Sequence, residues 1–383
     1  MSRVLSMKIE NQNSLGHSAD VRAHLCLNGH ILPIAHLGPN FLILRNPVDH
    51  PPADAEIVLH PMCKFVKRVT VSTPTAEVSP LAERRETVMN PCDFLLLVFC
   101  LVDDELQALH LGRLRTRGPQ PTLSDSEVLT MEIVGEFWGL DQDKKIFEHF
   151  RRYHCAEFPA LANVCRTTWV RQAANLWNIK EAIRLRLLDQ LPGDPKIGIV
   201  DSQGLPICLY ARANRCQQFS GEAAFGFDHI SKQYFYGFRL HLRIRLNGII
   251  ERFELAGANV SELAIVPELM TEGTHTMLGD RNYWSPELQA ELQARGCVLL
   301  SPFKHRSRDK DPKRSKALNK PRRRVETTIG QLTERFHCKR TWARDLWHLR
   351  NRLIRKILSH TVAVLLNVRM GNPPLQLEHL LAA

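Results

Sequence analysis

The stretch YFYGFRLHLRIRLNGIIERFEL, residues 234–255, decides the fold class. Its first part, Tyr234–Leu246, alternates polar and apolar side chains through Arg239-Leu240-His241-Leu242, the two-residue period of a β-strand. Asn247-Gly248 follows, a dipeptide suited to a tight two-residue turn, and Ile249–Leu255 supplies the returning strand. Upstream, Pro192-Gly193-Asp194-Pro195 marks a boundary. Lys196–Asp201 then reads as a strand whose apolar run, Ile197-Gly198-Ile199-Val200, ends in Asp201. Downstream, Ser261 and Glu262 open a short helix to Met270, and His275–Gly279 is a strand leading to Asp280. Ser285-Pro286 starts a helix that Gly296 ends, with Ser as cap and Pro in the first turn. Cys297–Ser301 is a further strand, Lys304–Lys320 a charged loop, and Arg322–Arg340 and Asp345–Arg369 are long helices. A hairpin-rich sheet followed by strands alternating with helices is an α/β core with a mixed sheet flanked by helices.

Two other regions precede that core. From Pro91 to Leu191 the pattern is helical: Phe94–Leu109, a helix opened by the capping-box pair Ser124 and Glu127, Lys144–Tyr153, and Thr167–Gln190. With Arg166, Arg171 and Arg184 this region reads equally as a DNA-binding domain or as a structural bundle. Residues 1–88 hold short strand candidates at His24–Leu27, Ile31–Ala35, Phe41–Arg45 and Ala55–His60, with Asn28-Gly29 as a hairpin signal. They read as a small β-rich segment, or as an unrelated segment fused ahead of Met89, with Ser72–Glu86 as linker. The expected division is 1–88, 89–191, 192–370 and a tail at 371–383.

The net charge of +11 is concentrated in one place. Residues 304–356 hold 19 Lys/Arg against 5 Asp/Glu, while the remaining chain carries 32 against 35. One segment therefore carries all the excess, as either a solvated basic face or a surface for phosphates, and nucleic acid is the better reading. The ten cysteines show no zinc-ligand spacing and read as free thiols in a reducing cytoplasm. Met1–Ser14 lacks the apolar core of a signal peptide, and the longest apolar run, Phe94–Val102, is too short to span a bilayer.

Asp201 and Asp280 each close a predicted strand, and Glu326 lies on a helix whose Val325, Ile329, Leu332 and Phe336 form an apolar stripe. Taken singly, each has a plain alternative: a turn residue for either Asp, or a solvated Glu pairing with Arg322 one turn back. Three carboxylates meeting at one point would repel unless cations neutralised them, and hard oxygen ligands select Mg²⁺ or Mn²⁺. Such ions, two per site, serve phosphoryl transfer on nucleic acids. Asp228 reads as structural, in a loop before the hairpin. Trp342 and Trp347 read as helix-core packing rather than as base-stacking residues.

Residues 89–370 resemble the DDE transposases of bacterial insertion sequences, most closely the IS nine-eight-two group. The segments that carry the resemblance are Ile199-Val200-Asp201-Ser202, Tyr236-Gly237-Phe238-Arg239-Leu240-His241-Leu242, Gly257-Ala258-Asn259-Val260, Leu278-Gly279-Asp280-Arg281-Asn282-Tyr283 and Arg324-Val325-Glu326-Thr327-Thr328. The resemblance implies a ribonuclease-H-like fold with Asp201 on the first strand, Asp280 after the fourth and Glu326 on the following helix. It implies metal-dependent cleavage at the element's terminal inverted repeats, strand transfer to target DNA, and a homodimer that brings two ends together. The expected DNA contacts are Arg239, His241, Arg281, Arg322, Arg323, Arg324, Arg335, Lys339 and Arg340. The sequence departs from the family pattern at Arg281-Asn282, where Lys-Gly is common, and at Arg335, near the usual place of a Lys. A structure-directed nuclease of the same fold and an inactive, DNA-binding relic are the alternatives.

Overall fold

Alternation across 234–255 builds the centre of a six-stranded mixed sheet. The computed structural model describes residues 22–28, 30–37, 42–44, 53–60, 65–71, 89–110, 120–228, 232–305, 307 and 309–381. Strands β1 (Arg22–Leu27), β2 (His30–Leu37), β3 (Leu42–Leu44), β4 (Ala53–His60) and β5 (Phe65–Val71) form a separate antiparallel sheet in the order β3-β2-β1-β4-β5. Leu27 pairs with His30 across the predicted hairpin, and Asn28 takes the positive φ that a tight turn needs. β5 was not predicted, and the predicted linker Ser72–Glu86 lies outside the described residues.

Five helices follow: α1 (Pro91–Ala108), α2 (Asp125–Phe137), α3 (Asp143–Tyr153), α4 (Arg166–Asn175) and α5 (Trp177–Asp189). Asn90 caps α1, and the Ser124/Glu127 capping box forms as predicted at α2. The single helix predicted over Thr167–Gln190 is instead two, broken at Leu176. Arg184, one of the three arginines that suggested a DNA-binding domain, is buried and donates to the carbonyls of Ile250 and Glu251.

The larger sheet comprises β6 (Ile197–Leu209), β7 (Ala224–Asp228), β8 (Gln233–Arg245), β9 (Ile250–Gly257), β10 (Thr276–Leu278) and β11 (Val298–Leu300). Its backbone path runs β11-β10-β6-β8-β7, with β9 on the same edge of β8 as β7. The β8–β9 turn forms at Asn247-Gly248 but is longer than the two residues predicted: Leu246 joins it, the Gly248 amide donates to the Arg245 carbonyl, the Arg245 amide donates to the Ile249 carbonyl, and Gly248 takes φ 92°. Between the strands lie the one-turn helices α6 (Tyr210–Ala213) and α7 (Glu262–Ile265), and α8 (Pro286–Ala294), which Ser285 caps. Helices α9 (Pro312–Glu334) and α10 (Leu346–Arg369) complete the chain.

Three expectations change. β6 does not end at Asp201 but runs on to Leu209, paired with β8 along its length; Gly204 and Pro206 have the look of loop residues in sequence. Asp228 sits in β7 rather than in a loop, which makes β10 the fifth strand of this sheet instead of the fourth. The supposed charged loop is largely helix: Asp311 caps α9, Pro312 occupies its first turn, and the helix continues through Pro321 to Glu334. Proline inside a helix removes one backbone donor, so its tolerance here is owed to context rather than propensity.

One apolar core joins bundle and sheet. Phe94, Val128 and Ile183 belong to the same cluster as Leu240, Leu242, Val325 and Ile357. A smaller cluster on the sheet's other face gathers Val200, Val266, Leu269, Met277 and Leu299. Within the bundle, α10 packs against α2 and α5 through charge as well as through apolar contact. Lys180 pairs with Glu132 and donates to Asn351. Arg355 binds Glu136 at 2.6 Å and Asp143 at 2.7 Å, and Lys356 binds Glu136 at 2.7 Å and the Phe336 carbonyl at 2.7 Å. At the outer ends of the chain's main body, the Met89 amide donates to the Leu380 carbonyl, and Met89 bridges to Leu381.

Removing one partner from a buried ion cluster strands the others in low dielectric. Replacing Glu136 with Gln leaves Arg355 and Lys356 short of an anion and should lower unfolding free energy by about 3–5 kcal/mol. Urea denaturation measures this; a drop under about 1 kcal/mol would show that the cluster carries little of the fold.

Candidate active site

Asp201 and Asp280 are brought together by strand register. β10 runs parallel to β6 with Thr276 opposite Ile197 and Leu278 opposite Ile199. Two residues further on, the same register sets Asp280 level with Asp201. Asp201 therefore stands where β6 loses its parallel neighbour, in mid-strand rather than at a strand end. It faces Leu242 across β8, which turns it to the side of the sheet covered by helices. Gly279 allows a close approach at this point. A Cβ there would lie 2.6 Å from the Cβ of Tyr283, so the short turn Arg281–Tyr283 folds directly over the strand end. The Asp280 carboxylate caps that turn, accepting from the Asn282 amide at 2.8 Å.

The electrostatics mark the pair. Burial pushes the Asp201 carboxyl up from its ordinary 3.8 to about 6; the Ser202 amide and Arg322 oppose the shift, while the charges of Asp280 and Glu262 add to it. Arg322 reaches Asp201 from α9 at 3.7 Å. Glu326 lies one turn beyond Arg322 on the same helix and is exposed. Among the described residues, no three His, Cys, Asp or Glu side chains converge closely enough to hold a metal ion. The structure thus brings two of the three predicted acids together and sets the third on the neighbouring helix without closing the set.

The sequence reading missed Glu262. Its carboxylate accepts from Ser202 Oγ and Arg239 on the β6 face opposite Asp201, both at 2.7 Å. Tyr283 is buried beside these acids, and burial together with the charges of Glu262, Asp201 and Asp280 holds its hydroxyl far above the ordinary phenol range. The available signal is an acid two residues after the Gly257–Val260 segment, which in sequence reads only as a helix opener.

The predicted DNA contacts fall into three groups. Arg323, Arg324 and Arg340 are exposed. Arg281, Arg322, Arg335 and Lys339 are partly covered and engaged: Arg281 with the Phe303 carbonyl, Arg335 over the Phe137 ring, Lys339 with Asp228 at 3.8 Å. Arg239 and His241 lie beneath the sheet. Arg239 is committed to Glu262, Ser202 and the Phe227 carbonyl. His241 is 1% exposed, and burial, aided by the Arg239 charge, pulls its imidazole down to about 4. Neither offers a surface cation, because alternate β8 residues on this face are covered by Val266–Leu269 and the short helix before it. Trp342 and Trp347, read as core, are instead 58% and 48% exposed.

Residues 193–346 match the family model described as Transposase DDE domain. This segment is a transposase DDE domain. It starts at the turn between bundle and sheet and ends at the first residue of α10, so it contains Asp201, Asp280 and Glu326. Proteins with such a domain act in DNA transposition and recombination, and they generally use divalent metals. No curated protein and no solved structure matches the chain. Among the described residues no helix is long and apolar enough to cross a membrane.

A carboxyl held near 6 in the fold and near 4 when unfolded favours its neutral form on folding. The resulting penalty is absent below about pH 4, grows up to about pH 6 and is complete above it. Asp201→Asn should therefore raise the melting temperature at about pH 8 and leave it unchanged at about pH 4. An identical melting temperature for both proteins at the higher pH would show that the acid is held without cost.

Proposed function

We propose that the chain is an insertion-sequence transposase of the IS nine-eight-two group, cleaving DNA at element ends and joining the freed strand to target DNA. Asp201, Asp280 and Glu326 form its acidic triad. The observation that carries this reading is the alignment of Asp201 with Asp280 at the end of the β6–β10 ladder, inside the transposase DDE domain. Assignment to a ribonuclease-H-like catalytic fold is supported by the strand order β9-β8-β6-β10-β11, three antiparallel strands followed by two parallel ones. The helical residues 89–191 then form the layer on which this sheet is mounted, and 1–88 a β-rich extension.

The donor chemistry fits a hard divalent cation. Asp201 and Asp280 offer carboxylate oxygens, and burial, the main cause of the upward shift of Asp201, penalises a charged form that a cation would stabilise. Glu326 would complete the ligand set for Mg²⁺ or Mn²⁺. When bound, two such ions supply positive charge to the attacking and leaving oxygens of an in-line phosphoryl displacement. The protein's own groups bind and orient the DNA. Arg322 offsets the Asp201 charge from α9. Arg323 and Arg324, exposed on the adjoining turn, hold phosphates next to the acids, and Lys339 and Arg340 extend that surface. Arg239 and His241 leave the contact set, Arg239 because it is committed to Glu262 and Ser202 and His241 because it is buried. The partners are the terminal inverted repeats, the target DNA and a second copy of the chain that holds the other end.

A second reading, a DNA-binding relic without cleavage, draws on the exposed position of Glu326 and the open ligand set. DNA flanking the gene, incubated with protein and Mg²⁺ or Mn²⁺ and mapped for new 3′ ends, separates the two. Wild type should cut at a repeated end sequence, while Asp201→Ala and Glu326→Gln fall to background and keep their DNA affinity. Full cleavage by Asp201→Ala would overturn the triad. Binding without cleavage by wild type would leave the relic, and cleavage without joined product would leave a nuclease.

Salt dependence tests the surface separately. For every phosphate that a variant no longer neutralises, the slope of log affinity against log salt falls by about 0.9 on duplex DNA. Changing Arg323 and Arg324 to Gln should flatten the slope by nearly twice that; an unaltered slope would move the duplex-binding surface elsewhere.

A further inference from the structure

A groove of about 770 Å³ opens between the bundle and the start of α10, formed by α3, α4 and the segment that leads from α9 into α10. Its walls carry Lys144, Arg166, Arg171 and Arg344, and both exposed tryptophans, Trp342 and Trp347. The acid in the lining, Asp143, is already neutralised by Arg352 and Arg355. Arg166, Arg171 and Arg344 are exposed and have no ion pair among the described residues. Positive charge in the groove is thus open to a ligand.

The tryptophans are displayed by construction. Thr341 and Ala343 are buried on either side of Trp342, and the Thr341 carbonyl is held by Arg352 at 2.8 Å. Trp342 itself adopts φ 54°, a left-handed conformation uncommon for a bulky residue. Its indole Nε1–H donates to Asp141 at 3.1 Å, so the ring is fixed at the mouth rather than loose. Trp347 is braced edge-on by Trp177, with ring centroids 5.9 Å apart. Strained backbone that presents an aromatic ring to solvent is a feature of binding sites.

We propose that this groove binds single-stranded DNA, the unpaired segment at an opened element end, with bases stacked on Trp342 and Trp347 and phosphates held by Arg166, Arg171 and Arg344. Cations that track a backbone beside aromatic rings that stack on bases are the recurring design of single-strand binding surfaces. Duplex DNA hides its base faces, so it would use the cations and leave both indoles idle. The proposal rests on the transposase reading for the identity of its ligand, but it involves none of the three acids.

The test is fluorescence anisotropy of labelled oligothymidylate, and of a duplex of equal length, titrated with the full-length protein. Wild type should prefer the single strand. Trp342→Ala and Trp347→Ala should each weaken single-strand binding roughly 5- to 100-fold while barely changing duplex binding. Trp347→Phe should restore most of the affinity, which a merely unfolded variant would not permit. Arg171→Gln with Arg344→Gln, which leaves the aromatic platform intact, should lower the single-strand salt slope by about 0.7 per residue. Equal wild-type affinity for both DNAs, stronger binding of oligouridylate, or wild-type single-strand affinity in Trp347→Ala and in the double arginine variant would each overturn the proposal. The cleavage comparison with Asp201→Ala is a separate assay, so failure here leaves the catalytic reading untouched and the reverse also holds.

Discussion

Five buried charges and the partly covered Asp143 set the frame on which everything else is mounted: Glu132, Glu136 and Asp143 from α2 and α3, against Lys180, Arg355 and Lys356 from α5 and α10. Apolar packing alone would let α10 slide or turn among near-equivalent positions, since Leu, Ile and Val fill space without demanding a particular partner. The ion cluster removes that freedom. A shift of α10 by one residue would separate Arg355 and Lys356 from Glu136, and unpaired charge in the interior is costly. Specificity of register is a better account of such a cluster than gain in stability, because a well-packed apolar set often does as well in energy.

The consequence reaches the acids through α9. Lys356 holds the Phe336 carbonyl just beyond the end of that helix, while Thr328 donates to the Gly248 carbonyl and Thr333 to Gln203 on β6. Asp201 and Asp280 are positioned by backbone, through strand pairing, and have little room to move. Glu326 is positioned by side chains, on a helix gripped mainly beyond it toward its C-terminal end. That difference gives physical sense to an arrangement in which two acids are aligned and the third stands off.

Local pattern makes the strands, the caps and the two hairpin turns readable, because each is decided by residues within a few positions of one another. Asp201 is singled out by the same local pattern, though the strand end that pattern implies does not fall there. The continuation of β6 past it is not readable, since Gly204 and Pro206 look like a loop until β8 pairs with them. Charge is harder still. The 304–356 segment looks like a basic surface, yet Arg355 and Lys356 are interior, neutralised by acids some 200 positions earlier in the chain. Separation in the chain also hides Glu262, which meets Ser202 from 60 positions away, and the groove, where Trp342 and Arg344 meet Lys144, Arg166 and Arg171 only in the folded chain. No window of sequence contains those neighbours.

The bridge between Met89 and Leu381 has a bearing on how such a body can be built upon. The first and last residues of the main fold lie side by side, so the fold is closed in the manner of a ring with a clasp. A segment joined ahead of Met89 therefore meets the main fold beside its C-terminal residues. Folds closed in this way accept new neighbours at their ends without repacking. The five-stranded sheet that precedes Met89 is attached at just such a point.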